Sequence, residues 1–185
     1  MLRLSTVSRV SIAAGGLVVA LLLHTTADPD LWGHLAFGRD TLRHGLSRTD
    51  MFSYTARGAP FLNHEWLSDV VRYTLFRLAG PGGLVALRLA LLGGMLAVVV
   101  AAVRRECGGR GAAALVAALV VLGGFPWFVT ARPQLFTFAG FALFLLAIVR
   151  ADGGDRRLLL APPLVTVAWV NLHGGVVAGL GLLTV

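Results

Sequence analysis

The sequence predicts an all-α, polytopic transmembrane helix bundle of about five to six spans, and three observations predict it. Mean hydropathy is +0.80, with 57% hydrophobic and only 14% charged residues. A soluble domain carries about 25% charged residues because water must wet its surface, so lipid is the solvent for most of this chain. Several uncharged stretches have the length of a membrane crossing, and the arginines beside them gather on alternate connections. That alternation is what positive-inside orientation produces.

The stretches justify the elements in order. Residues 10–27 give 18 uncharged positions between Arg9 and Asp28. Residues 84–103 are apolar except for Arg88, which lies near enough to one end to snorkel. Residues 111–131 give 21 positions without a charge and 133–149 give another 17. A crossing helix takes about 20 residues, with roughly 17–25 tolerated, so each stretch fits one span. The last run, 158–185, has 28 uncharged residues, too many for one ordinary crossing and too few for two. Asn171-Leu172-His173-Gly174-Gly175 interrupts it, which predicts a fifth helix to about Leu172, a tight turn and the start of a sixth. The chain stops inside that apolar run without a basic anchor, so 1–185 reads as one membrane domain continuing beyond Val185.

Orientation comes from Arg3 and Arg9, from Arg104, Arg105 and Arg110, and from Arg150, Arg156 and Arg157. All fall on one face if the chain threads alternately, and that face is cytoplasmic. The N-terminus is then cytoplasmic, while loop 24–83 and the turns 131–134 and 171–175 are extracytoplasmic. Sixteen arginines and no lysine hint at a G+C-rich bacterial genome, which points to a bacterial inner membrane. The basic start, apolar stretch and Thr25-Thr26-Ala27 also resemble a cleavable signal peptide, although the apolar run exceeds the usual ~7–15-residue core. The loop is exported on either reading. The net charge of +7 forms no basic stripe with interleaved aromatics, so no nucleic-acid partner is expected. Cys107 is the only cysteine, which excludes an intrachain disulfide and a Cys-based metal motif.

Loop 24–83 holds six of the nine acidic residues and four of the five histidines, too much chemistry and length for a plain connector. Two amphipathic helices are expected in it, lying along the membrane interface. The first runs from Asp28 or Asp30 to Gly45, with Leu31, Leu35 and Leu42 on its apolar face and Phe37, Trp32 and Ala36 widening it. The second runs from Asn63 to Gly80-Pro81. Its stripe of Trp66, Leu67, Val70, Val71, Leu75 and Leu78 lies opposite Asp69, Arg72 and Arg77. Between them, 53–55 reads as an extended piece and 57–60 as a turn.

Several groups in this arrangement carry chemistry. Pro29 holds Asp28 out of the helical region and lets Asp30 lead into the helix. Two such carboxylates can act as general base or divalent-metal ligands, although helix capping explains one of them. Asp30 and His34 stand four apart on one helix face, spaced for a carboxylate–imidazole pair. Asp40 and His44 repeat the spacing in the last turn, where they complement the helix dipole. Asn63-His64-Glu65 is either a capped helix start or a compact acid/base or metal-ligand group. Arg132 is either a headgroup anchor or a phosphate clamp. Asn171 and His173, with the following glycines, allow close backbone approach to a ligand.

Asp-Pro-Asp-Leu-Trp-Gly-His-Leu (28–35), Asn-His-Glu-Trp-Leu (63–67), Ala-Arg-Pro-Gln (131–134) and Asn-Leu-His-Gly-Gly (171–175), set behind a first span, resemble bacterial GT-C glycosyltransferases. These are multispan enzymes related to protein mannosyltransferases, aminoarabinose transferases and oligosaccharyltransferases. The resemblance covers nearly the whole chain in layout. It implies transfer of a sugar from a polyprenyl-phosphate donor in the membrane lipid to an acceptor on the extracytoplasmic face. It also implies an acidic residue of the first exported loop at the catalytic centre, here Asp30 in preference to Asp28, with Glu65 a further candidate. His34, His64, Arg132, Asn171 and His173 would bind substrate. Some relatives use a divalent metal such as Mg2+ or Mn2+, for which Asp28, Asp30 and Glu65 are the candidate ligands here. The carboxylates that oligosaccharyltransferases carry in later exported loops have no counterpart in 131–134. The alternatives are a transporter or metal-handling protein using the exported His and Asp residues, and a non-catalytic membrane scaffold.

Overall fold

The structure is a computed structural model that describes residues 6–107, 109–154, 157 and 160–182. Arg3 and Arg156 of the basic flanks, and parts of the 158–185 run, lie outside the described residues. Seven helices follow one another among those described: α1 (Thr6–Leu23), α2 (Leu31–His44), α3 (Trp66–Cys107), α4 (Arg110–Phe128), α5 (Gln134–Asp152), α6 (Ala161–Leu172) and α7 (Val176–Leu182). The chain is all-helical in this sense, with no strand among the described residues and one isolated bridge between Thr49 and Pro60. Three helices, within α3, α4 and α5, are long and apolar enough to cross a membrane; α1 and α6 are apolar and shorter.

The expected boundary at Gly80-Pro81 is a kink inside α3. Ala79 and Gly80 leave helical geometry there, Gly80 at a φ of +57° that favours glycine. The segment before the kink belongs to loop 24–83, and the segment after it joins the bundle. In the bundle α3 packs against α4, α5 and α6, and α1 packs along α4. Leu92, Met95, Leu96, Val121, Phe128 and Leu135 form its buried centre. A second, smaller cluster sets Trp169 of α6 edge-on to Phe144 of α5, beneath Val176.

Loop 24–83 packs on itself and on the bundle. Helix α2 lies across the first part of α3, and Gly38 makes that crossing possible. A Cβ there would stand 2.1 Å from the Asp69 carbonyl oxygen. Residues 48–61 close a hairpin-like turn through Phe61 N–H to Arg48 O (2.9 Å) and Asp50 N–H to Ala59 O (2.8 Å). Gly58 takes positive φ in it, as the expected turn at 57–60 requires. The Ser53 hydroxyl and amide, then the Phe52 amide, hold the Asp50 carboxyl below the usual carboxylate range. Phe37 stacks on Phe61 and meets Phe52 edge-on, pinning the turn to α2.

Two expectations change at this level. Asp69 and Arg72 were expected on an outer polar face, yet both are 1% exposed. Helix α2 covers that face and supplies polar partners to it, which lets charged groups be buried in pairs. Arg88 does not snorkel. It is buried, and its guanidinium donates to the carbonyl oxygens of Leu22, His24 and Phe128 and to Thr25 Oγ1. Those carbonyls stand at or just past the ends of α1 and α4, where helices leave acceptors unsatisfied and favour a cation.

Candidate functional site

The polar residues singled out from sequence come together at one end of the bundle, where α1 and α4 end and α3 and α5 begin. The Thr26 N–H donates to Val129 O at 3.0 Å, joining the two connections that carry Asp28 and Arg132. Asp28 is buried. One oxygen accepts from Arg132 Nε at 3.1 Å and the other faces Arg72 Nη2 at 3.4 Å. The first oxygen also accepts the Asp30 N–H at 3.2 Å, so the capping turn at Asp-Pro-Asp belongs to Asp28. Asp30 makes no side-chain cap to α2. It is exposed, and its carboxylate has no partner among the described residues.

Arg72 itself is incompletely satisfied. Its Nε and Nη1 are buried without a hydrogen-bond partner among the described residues. Burial works against its charge, and the Asp28, Asp69 and Glu65 carboxylates offset that only in part.

The Asp30–His34 side-chain pair expected from spacing does not form. His34 Nδ1 instead lies 2.6 Å from Asp69 Oδ1, and the other Asp69 oxygen accepts from Asn63 Nδ2 at 2.8 Å. An i,i+4 pair on a helix surface is weak, and a buried carboxylate across the α2–α3 crossing is the stronger partner. Asn63 Oδ1 accepts the Glu65 N–H at 3.0 Å, an Asx turn that leads into α3 rather than the helix cap expected of it, since α3 starts at Trp66. Asp40 and His44 do pair, at 2.8 Å, on an exposed surface.

Glu65 faces two histidines. Its Oε1 is 3.4 Å from His173 Nε2 and 3.6 Å from His64 Nε2. Burial pushes the His173 imidazole below the usual histidine range; the Glu65 carboxylate opposes that shift and His64 adds to it. Asn171 Oδ1 accepts the Trp66 indole N–H at 2.8 Å, tying the end of α6 to the start of α3. The structure therefore joins Asp28 to Arg132, Glu65 to His64 and His173, and Asn171 to the helix that carries Glu65. Asp30 stands beside them unpaired.

Beside Asp28 opens a cavity of about 300 Å3 with mainly apolar walls, among them Leu31, Trp32, Phe76, Leu84 and Val85. Trp32 stands edge-on to Phe76 at its side. Asp28 and Arg88 are its ionisable lining groups.

Sequence reasoning did not place Asp69, Arg72, Arg88 or Thr137 in this region. A signal existed for all but Thr137. A charged residue inside an apolar run, as Arg88 is, marks a group that must find partners within the protein. A glycine within an amphipathic helix, as Gly38 is, marks a close crossing and hence a covered face on the neighbour.

The donor set does not fit a divalent cation as arranged. Both Asp28 oxygens face guanidiniums, whose positive charge would oppose a metal, and among the described residues no three His, Cys, Asp or Glu side chains gather as ligands. No protein-family model, curated protein or solved structure matches the chain.

Proposed function

We propose that the protein is a membrane glycosyltransferase of the GT-C kind, moving a sugar from a polyprenyl-phosphate donor to an acceptor on the extracytoplasmic face of a bacterial inner membrane. In this reading α1 and α6 also cross the bilayer, α7 begins a sixth span, and the end of the bundle carrying Asp28, Glu65 and Arg132 faces outward. The observation that carries the reading is Asp28, which lines an apolar cavity and is paired with Arg132 and Arg72. A lipid-linked phosphate needs cationic donors beside an apolar surface, and it needs no nucleotide-binding domain.

The chemistry divides among the residues accordingly. The acceptor hydroxyl attacks the anomeric carbon, the carbon–oxygen bond to phosphate breaks, and the phosphate leaves with the electron pair. Asp30, with no competing partner, takes the hydroxyl proton. Arg132, the partly exposed member of the pair, stabilises charge on the departing phosphate, and Arg72 adds its charge through Asp28. Asp28 is held by those arginines and sets their positions rather than acting as the base.

Transfer of labelled sugar from polyprenyl-phosphate donors tests this. Asp30→Asn is expected to lower kcat by about 100-fold or more, the scale of a lost general base, with donor binding retained. Unchanged transfer in that variant would remove Asp30 from the centre. Divalent-metal uptake that disappears in His34→Ala would favour a transporter instead.

A further inference from the structure

The second polar cluster, around His173, is built with its proton positions determined. Trp169 is buried in α6, and its indole N–H donates to Thr137 Oγ1 at 3.1 Å. Indole nitrogen can only donate, so the Thr137 oxygen accepts and its own hydrogen is left to donate elsewhere. It points to His173 Nδ1 at 2.7 Å. The Gly175 N–H, also a donor only, reaches the same nitrogen at 3.0 Å. With two donors aimed at it, Nδ1 carries the lone pair and the ring proton sits on Nε2. Nε2 stands 3.4 Å from Glu65 Oε1, close enough for the two to share a ligand atom without forming a hydrogen bond to each other.

Both separations from Glu65 Oε1, 3.4 Å to His173 and 3.6 Å to His64, are longer than a charge-assisted hydrogen bond of about 2.7–2.9 Å. Glycines shape the same edge. A Cβ on Gly175 would stand 2.3 Å from Thr137 Oγ1, and one on Gly174 would touch the His64 ring at 3.6 Å. The turn thus needs glycine at 175 to reach Thr137 and His173 together. The carboxylate and histidine side chains stay partly accessible, Glu65 and His173 at 17% each. A carboxylate acceptor beside a neutral imidazole donor is the complement of a hydroxyl group, which donates once and accepts through its oxygen.

We propose that the Glu65–His173 edge binds a hydroxyl of a sugar-like polyol, accepting its hydrogen at Glu65 and donating from His173 Nε2, with the Gly175 N–H fixing this polarity and Thr137 as the positioning residue that holds the ring. Its role as the acceptor side of a transfer rests on the reading above; the tautomer and the hydroxyl binding do not.

The test uses the full chain in lipid nanodiscs with 15N-labelled histidine. The wild-type His173 spectrum is expected to show a protonated Nε2 and a bare Nδ1. Thr137→Ser should keep the tautomer and the Nδ1 shift, while Thr137→Val should keep the tautomer through the Gly175 N–H and move the Nδ1 signal. A protonated Nδ1 in the wild type would overturn the proposal at once, even if Thr137→Val failed to fold. So would an unchanged Nδ1 signal in a folded Thr137→Val protein. Titration with a methyl pyranoside should move the His173 Nε2 signal, and Glu65→Ala should weaken that response at least tenfold. No response in the wild type, or an equal response in Glu65→Ala, would also overturn it. Absent sugar transfer together with an intact tautomer and pyranoside response would sink the transferase reading and leave the hydroxyl site standing.

Discussion

Arg72 and Arg88 lie on the same helix, one on each side of the Gly80-Pro81 kink, and each is 1% exposed. Their partners differ in kind. Arg88 donates to three main-chain carbonyls and one hydroxyl at the ends of α1 and α4. Those acceptors are fixed by the backbone, so Arg88 staples two helix ends. Arg72 faces carboxylates carried on loop 24–83, makes one long contact with Asp28, and keeps two nitrogens without partners where Arg88 keeps only its Nε. A buried cation that is only partly satisfied is expensive for stability alone. The contrast separates an arginine that builds the scaffold from one whose surroundings suit a site.

Breaking the staple should have the largest effect. Arg88→Met leaves the helix-end carbonyls without their donors in an environment poor in water, and should destabilise the protein by about 3–5 kcal/mol in detergent unfolding. Arg88→Lys should recover only part of that, because one ammonium cannot reproduce the planar fork. A loss below about 1 kcal/mol in Arg88→Met would erase the distinction. Arg72→Met removes one charged contact from Asp28 while Arg132 remains, so a smaller loss of about 1.5–3 kcal/mol is expected. The Asp28→Asn/Arg72→Met pair should cost less than the two single changes added together, by a coupling of about 0.5–3 kcal/mol. Strict additivity would show that the two side chains do not sense each other.

The arginines also show where sequence reading reaches its limit. Apolar run lengths anticipated the helices, and Gly80-Pro81 anticipated the kink, because hydropathy and backbone restriction are local properties. Asn63 was legible as a turn-former before α3 for the same reason, although the helix starts later than its side chain suggested. The direction of Asp69 and Arg72 was not. An amphipathic pattern gives two faces of a helix without saying that a neighbouring helix will cover the polar one. The division of labour in Asp-Pro-Asp was also hidden, since either carboxylate could close the turn and the arginines that claim Asp28 come from 44 and 104 residues away. Thr137 left no trace at all, because a threonine near the start of an apolar helix looks like any other.

Gly38 gives a gentler way to separate the two arginines. Gly38→Ala would drive a methyl group into the Asp69 carbonyl and push α2 away from the first part of α3. Overpacking of this sort costs about 1–3 kcal/mol. Amide protection should fall around Asp69 and Arg72 and stay unchanged at Leu22 and Phe128, beside Arg88. Equal loss at both places would mean that loop 24–83 and the bundle unfold as one unit.

Acid should produce the smallest effect and the most local one. Burial depresses the folded-state pKa of His173, so its neutral form stabilises the fold above the ordinary histidine pKa, and that contribution is lost as pH falls through the depressed value. The Arg88 acceptors are carbonyls and a hydroxyl, which do not titrate in that window. Mild acidification should therefore loosen the His173 side first, read as a change in the near-ultraviolet signal of Trp169, whose indole N–H is tied to Thr137. His173→Gln should abolish that pH response while leaving amide protection beside Arg88 as it was. If the response survived the substitution, it would belong to another group, and His173 would not be the acid-sensitive point of this end of the bundle.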